Sequence, residues 1–316
     1  MKLEKATQPT MYFIGVTTGS SSIMKVFPKW AEALGLENTV IKGIDIPIHA
    51  PREVYRQVVE FIKADPLSMG ALVTTHKIDI YEAASDLFEY KDPYAEMFGE
   101  MSSISKKDGL LCAHAKDPIT CGMAMEEFIP ADYWKNNPKA EVMIMGAGGS
   151  CISMCSYFMR KEFAGNRPAR IVVANRSQPR LEMLKEINEK MNDGSIVCEY
   201  ALTPEAGQND AVLAGMAEGS LVVNATGLGK DRPGSPITDA AVFPKNAQVW
   251  EINYRGDLLF LHQALAQQEK QSMMVTDGWM YFVYGWTQVI AEVFHTPIQG
   301  ELLRKMDHIA ASFNNR

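Results

Sequence analysis

The chain has only five cysteines, at positions 112, 121, 151, 155 and 198, and no two of them form a CxxC pair. An odd count without a metal-type spacing argues against a disulfide framework and implies free thiols in a reducing compartment. No set of His, Cys and Asp has metal-ligand spacing, so no metal is expected. No apolar run approaches the ~20 residues of a membrane-spanning helix. Met1-Lys2-Leu3-Glu4-Lys5-Ala6 lacks the apolar core of a signal peptide. The expected location is cytoplasmic, without a membrane partner. A basic surplus is missing too: 31 Lys and Arg stand against 38 Asp and Glu, for a formal charge of -7. That balance cannot neutralise a phosphate backbone, so nucleic acid is not an expected partner. Internal repeats and low-complexity segments are absent.

What is present suits a folded chain with a sizeable core. Of 316 residues, 47% are apolar and 22% charged, and the length allows two domains. The most informative stretch runs from Ala140 to Arg180. An apolar run, Val142 to Met145, turns through Gly146-Ala147-Gly148-Gly149-Ser150 into a helix-like segment, Cys151 to Phe163. A second apolar run, Arg170 to Ala174, then ends in Asn175-Arg176-Ser177-Gln178-Pro179-Arg180. Strand, glycine turn, helix and strand form one mononucleotide-binding unit. Such glycines let the backbone approach a phosphate, and the helix N-terminus points N–H groups at it. An NAD site wants a carboxylate at the end of the second strand to hold the ribose 2′-hydroxyl. Arg176, Ser177 and Arg180 instead suit a 2′-phosphate, which favours NADP over NAD. A solvated turn with Ser177 as N-cap fits the same residues.

Upstream, strands at 11–16, 39–46 and 70–74 alternate with helices at 23–34, 51–63 and from Lys77 through Leu87, which implies a parallel α/β layer. Residues 88–105 are less regular, and Lys107-Asp108-Gly109 marks a hairpin. A helix over 119–128 leads into a surface linker at 132–139. Further strands are expected at 195–200, 221–224 and 247–252, with helices at 180–192, 205–216 and 258–267. Two helices, 278–294 and 298–312, close the chain. The expected fold is α/β with two domains. A substrate-binding domain spans 1–120 and is completed by 278–316, so the tail helices pack back on it. A Rossmann domain spans 121–277.

Lys77 and Asp117 each sit where a strand ends and a helix begins, the place where α/β proteins hold ligands. Together a lysine and a carboxylate can exchange a proton with a substrate hydroxyl; singly, each is commonly a cap or surface charge. His76 and His114 are either polar substrate contacts or surface histidines. Asn224-Ala225-Thr226 closes a strand and would cover the far side of the nucleotide. Tyr254 and Gly278 complete the cofactor candidates, and Tyr284 stands among aromatics at helical spacing.

These stretches, in this order from Phe13 to Phe294, resemble the shikimate/quinate dehydrogenase family. Its GxGG motif is matched at Gly146-Ala147-Gly148-Gly149, its NR[ST]xxR clamp at Asn175-Arg176-Ser177 and Arg180, its NAT at Asn224-Ala225-Thr226 and its PGSP at Pro233-Gly234-Ser235-Pro236. The family's catalytic lysine ends a VTxPxK motif, which Val73-Thr74-Thr75-His76-Lys77 fits with one residue fewer and no proline. Its catalytic aspartate ends NTD, here Ala115-Lys116-Asp117 after Asp108-Gly109. The resemblance implies an NADP-dependent dehydrogenase with Lys77 and Asp117 as the catalytic pair. The substrate pocket departs from the pattern. The HSxSP serines become Gly19-Ser20-Ser21-Ser22-Ile23, keeping Ser21 and losing the other hydroxyl to Ile23. Ser102 replaces an asparagine, and the helical glutamine falls at Tyr284 or Gly285, with Gln288 a turn later. Ser21, Thr74, Ser102 and Tyr284 are the substrate candidates. Losing so many hydrogen bonds, each worth about 0.5–1.5 kcal/mol, points to a small hydroxylated substrate other than shikimate. The alternative is a non-catalytic NADP-binding regulator on the same scaffold. A homodimer is compatible with all of this.

Overall fold

The computed structural model describes residues 3–230 and 232–313, so Met1 and Lys2 of the segment read for a signal peptide lie outside it. The chain divides into two compact units, Met1–Lys116 with Gly285–Arg316, and Asp117–Tyr284.

In the first unit the strands are β1 (Thr10–Gly15), β2 (Val40–Asp45), β3 (Ser68–Val73), β4 (Tyr90–Lys91), β5 (Ser103–Lys107) and β6 (Leu110–His114), ordered β2-β1-β3-β5-β6-β4. The first three pair in parallel, β5 runs against β3, and β6 runs against β5. The carboxyl ends of β1, β3 and β6 therefore share one edge of the sheet. Four helices accompany these strands: α1 (Ile23–Ala33), α2 (Arg52–Ala64), α3 (Lys77–Ala84) and α4 (Pro93–Phe98). On α2, Tyr55, Val58, Val59 and Ile62 recur at helical spacing and are buried against Ile14, Val73, Ile104 and Leu111. From Gly285 on, the tail helices belong to this unit. Phe13 meets Trp286 edge-on with centroids 4.8 Å apart, and Trp30 Nε1 donates to Met306 O at 2.7 Å. The stretch expected to be irregular holds β4 and α4, because Asp92 caps α4 by accepting from Ala95 N at 2.7 Å, ahead of a proline in the first turn.

In the second unit the strands are β7 (Val142–Met145), β8 (Arg170–Asn175), β9 (Val197–Leu202), β10 (Leu221–Asn224), β11 (Gln248–Glu251) and β12 (Met274–Thr276). They form one parallel sheet, β12-β11-β10-β7-β8-β9, the Rossmann order. Its helices are α5 (Asp117–Glu126), α6 (Tyr133–Asn136), α7 (Gly149–Phe158), α8 (Gln178–Met191), α9 (Ala206–Ala214), α10 (Leu259–Leu265) and α11 (Gln268–Gln271). The tail helices are α12 (Trp279–Phe294) and α13 (Gly300–Ala311). Both central strands, β7 and β10, are buried at every residue, as a parallel sheet covered on two faces requires. The helix expected over 119–128 spans Asp117–Glu126, with Asp117 at its start as expected. One expectation needs correcting. The supposed surface linker contains α6, whose Trp134 is buried edge-on against Phe158 at 5.5 Å. A single tryptophan among polar neighbours carries no periodicity that would announce a helix.

Candidate active site

Within the second unit the cofactor candidates meet at the carboxyl edge of β8, β7, β10 and β11. Between β7 and β10 the strand order reverses direction, the place where open α/β sheets bind ligands. Gly146 N donates to Ala174 O at 2.8 Å, which sets the turn beside Asn175. Gly146 has φ +107°, and a Cβ there would lie 2.5 Å from Ala225 O, so only glycine fits. Ala225 N in turn donates to Met145 O at 2.8 Å, which holds the Asn224-Ala225-Thr226 segment against the turn. Ala147 is buried, while Gly148 and Gly149 are exposed. Gly148 is the N-cap of α7 without a side-chain cap, and a Cβ on it would meet nothing within 4 Å. Ser150 Oγ lies 3.2 Å from Tyr281 Oη.

At the end of β8, Asn175 Nδ2 donates to Ser177 O at 3.1 Å. Ser177 occupies the N-cap position of α8, yet its hydroxyl makes no cap bond. Arg176 and Arg180 are exposed, and neither has an ion-pair or hydrogen-bond partner among the described residues. An open backbone cradle and two unpaired guanidinium groups fit a pyrophosphate with a further phosphate on the ribose.

Behind the Asn224–Thr226 segment lies a buried polar network. Asn224 Oδ1 accepts from Thr226 Oγ1 at 2.7 Å, and Asn224 Nδ2 donates to Glu251 Oε2 at 2.6 Å. Glu251 Oε1 accepts from Asn253 N at 2.9 Å and from Asn253 Nδ2 at 2.7 Å. Burial pushes the Glu251 carboxyl up to about 7, against the lowering pull of those amide donors. Sequence reasoning missed this group, because its partners come from separate strand ends. Tyr254 packs on Phe282 with centroids 4.3 Å apart, and Lys230 Nζ lies 5.9 Å above the Tyr254 ring. Gly278 N donates to Asn253 O at 3.1 Å, and a Cβ on Gly278 would sit 2.0 Å from Ile252 O. Tyr284 is buried and its hydroxyl donates to Glu127. Asp117, half-buried, opens α5 three residues after the end of β6.

In the first unit Thr74, Lys77 and Ser102 come together at the shared carboxyl edge. Thr74 N donates to Ile14 O at 3.0 Å, Val73 N to Ser102 O at 2.8 Å and Met101 N to Lys77 O at 3.2 Å. Lys77 is half-buried and opens α3. Ser102 is 2% exposed, and its hydroxyl is engaged by backbone alone: it accepts from Lys116 N at 2.7 Å and faces His114 O at 3.4 Å. Ser21 is half-buried after the turn at Thr18–Ser20, and Ile23 is fully buried as the first residue of α1.

His76 and His114 are not surface histidines. His76 is wholly buried, with Nδ1 3.3 Å from Tyr55 Oη. His114 Nε2 lies 3.3 Å from Glu292 Oε1, and Lys116 Nζ donates to Glu292 Oε2 at 2.6 Å. Burial pushes His114 down. Burial would raise Glu292, but the Lys116 hydrogen bond and the neighbouring His114 hold it below the usual carboxylate range.

The sheet order and the glycine turn define a dinucleotide-fold α/β protein. No protein-family model matches the sequence. The curated shikimate dehydrogenase (NADP(+)) of Streptococcus thermophilus is 24% identical over 251 residues, 79% of this chain and 80% of that protein. A solved shikimate dehydrogenase in complex with NADP+ has a TM-score of 0.74 at 20% identity, over 99% of this chain and 98% of its own. The ligand-free 5-ketofructose reductase of Gluconobacter sp. strain CHM43 has a TM-score of 0.66 at 14% identity, over 96% and 98%. In sequence the chain is similar to shikimate dehydrogenases, and in fold to their solved structures.

Proposed function

We propose that the chain is an NADP-dependent dehydrogenase acting on a CH–OH group, with reversible exchange between a secondary alcohol and its ketone. The observation that carries this reading is the pair of unpartnered guanidinium groups, Arg176 and Arg180, beside the open glycine turn. The NADP-dependent relative supports the same cofactor. NADP(H), when bound, supplies or accepts the hydride. Gly146, Gly148 and Gly149 with the first turn of α7 hold its pyrophosphate, and Arg176, Ser177 and Arg180 hold the 2′-phosphate. Lys77 gives a proton to the substrate oxygen in reduction and takes it back in oxidation, while Asp117 orients Lys77 or shares that proton.

The substrate is a hydroxylated, cyclic small molecule distinct from shikimate. Ile23 stands in the core, and the Ser102 hydroxyl is bonded to backbone, so two positions that resemble the family's substrate contacts offer little to a ring hydroxyl. A reductase named for 5-ketofructose shares the fold, which accommodates more than one substrate. The five free cysteines suit a reducing, cytoplasmic setting. A panel of polyols, keto sugars and hydroxy acids, followed by NADPH absorbance, tests the reading. Turnover of a polyol with NADP(H), and its loss in Lys77→Ala, is the expected result. Efficient turnover of shikimate or quinate would overturn the altered pocket.

A further inference from the structure

The connection between β3 and α3 is only Thr74-Thr75-His76, and it is strained. Thr75, a β-branched residue, has φ +56°, and His76 N turns back onto Thr74 O. Such a conformation persists only where the surroundings impose it. His76 is the N-cap of α3, but its side chain does not cap the helix and is 0% exposed. It points to α2, where Tyr55 Oη lies 3.3 Å from its Nδ1. Tyr55 Oη also donates to Asp79 Oδ2 at 3.1 Å and accepts from Ala50 N at 3.2 Å. A phenol has one proton, and Asp79 takes it. With that proton on Asp79, the Nδ1–H tautomer of His76 is the one that donates to Tyr55 Oη. Its Nε2 is buried without a hydrogen-bond partner.

We propose that Tyr55 and His76 form a clamp that positions Lys77. The clamp fixes the strained turn to α2 and Asp79, and so fixes the start of the helix on which Lys77 is the first residue. His76 is a positioning residue, not a substrate contact. The inference rests on Lys77 being the proton-transfer group. Nothing in the local sequence announces the clamp, because Tyr55 and His76 are 21 residues apart.

The full-length protein carries the test, with Tyr55→Phe, His76→Ala and His76→Asn. Tyr55→Phe removes the oxygen shared by His76, Asp79 and Ala50 N and should lower kcat by at least the roughly 2- to 12-fold that a single hydrogen bond is worth. His76→Ala should lower kcat by about 100-fold through misplacement of Lys77. KM for the alcohol and Kd for NADP should stay unchanged in both. His76→Asn should recover most of the loss, since its amide can donate near the Nδ1 position. An unchanged kcat in folded Tyr55→Phe overturns the clamp, as does a loss confined to KM. Should His76→Ala not fold, Tyr55→Phe decides alone. Absence of any wild-type turnover would instead defeat the functional reading. The clamp is then judged by NMR of 13C-methylated lysines, with the Lys77 signal assigned through Lys77→Arg. A shifted or broadened Lys77 signal in Tyr55→Phe supports the clamp, and an unchanged one overturns it.

Discussion

The turn after β7 and the turn after β3 have the same task, ending a buried parallel strand and opening a helix, and they do it with opposite chemistry. At Gly146–Gly149 the backbone itself is presented, with two glycines exposed and no side chain capping α7. At Thr74–Lys77 the backbone is tight, His76 is wholly buried and one side chain, Lys77, opens the helix. The first turn suits a ligand common to many enzymes, since N–H groups read a phosphate regardless of what is attached to it. The second depends on a particular set of neighbours. On the proposed reading the first turn binds and the second reacts, so each can be broken without the other.

Lys77→Ala should have the largest effect, a loss of about 100- to 10,000-fold in kcat, with NADP affinity measured by fluorescence titration unchanged. Gly146→Ala should strike the other turn. Its Cβ would meet Ala225 O in a region of φ closed to alanine, at a cost of about 3 kcal/mol, visible as a lower Tm and lost NADP binding. Replacing both Arg176 and Arg180 by alanine should weaken NADP by at least about 10- to 150-fold while NAD binding holds, the loss of a single charged hydrogen bond being worth about 1.5–3 kcal/mol. A similar loss for both cofactors would refute the 2′-phosphate assignment. The mildest change concerns pH. Burial pushes the Glu251 carboxyl up to about 7 in the folded chain, from its ordinary 4.5. The folded form thus keeps a proton that the unfolded form has released, so this contribution is full below 4.5 and is lost as pH rises towards 7. Thermal melts from pH 5 to 8 should show that slope, and Glu251→Gln should flatten it while lowering Tm at acid pH.

The cofactor half was the more legible in sequence because its signals are local. A four-residue apolar run, a glycine cluster and Asn175-Arg176-Ser177 each lie within a few residues, and the parallel sheet follows from their alternation with helices. The irregular stretch before β5 was not legible, since α4 depends on one cap, Asp92, rather than on periodicity. Of the two readings of His76, surface histidine or substrate contact, the structure excludes the first. A histidine beside a threonine pair reads as polar surface, and its burial is decided by Tyr55 on another helix. The ion pair of Lys116 with Glu292 spans 176 residues and cannot be seen from either end. Contacts distant in sequence, such as Tyr55 with His76, leave no local trace, and a short helix held by one cap, such as α4, leaves little.

The tail helices have a consequence for how the chain is made. The first unit is built from two separated pieces, and the Trp30–Met306 hydrogen bond joins residues 276 apart. During synthesis its sheet leaves the ribosome long before α13 exists. Phe13, Phe27 and Trp30 must wait uncovered while residues 117–284 are translated, whereas the second unit is continuous and can close as it emerges. The nascent first unit is the stage at which a chaperone would find this protein.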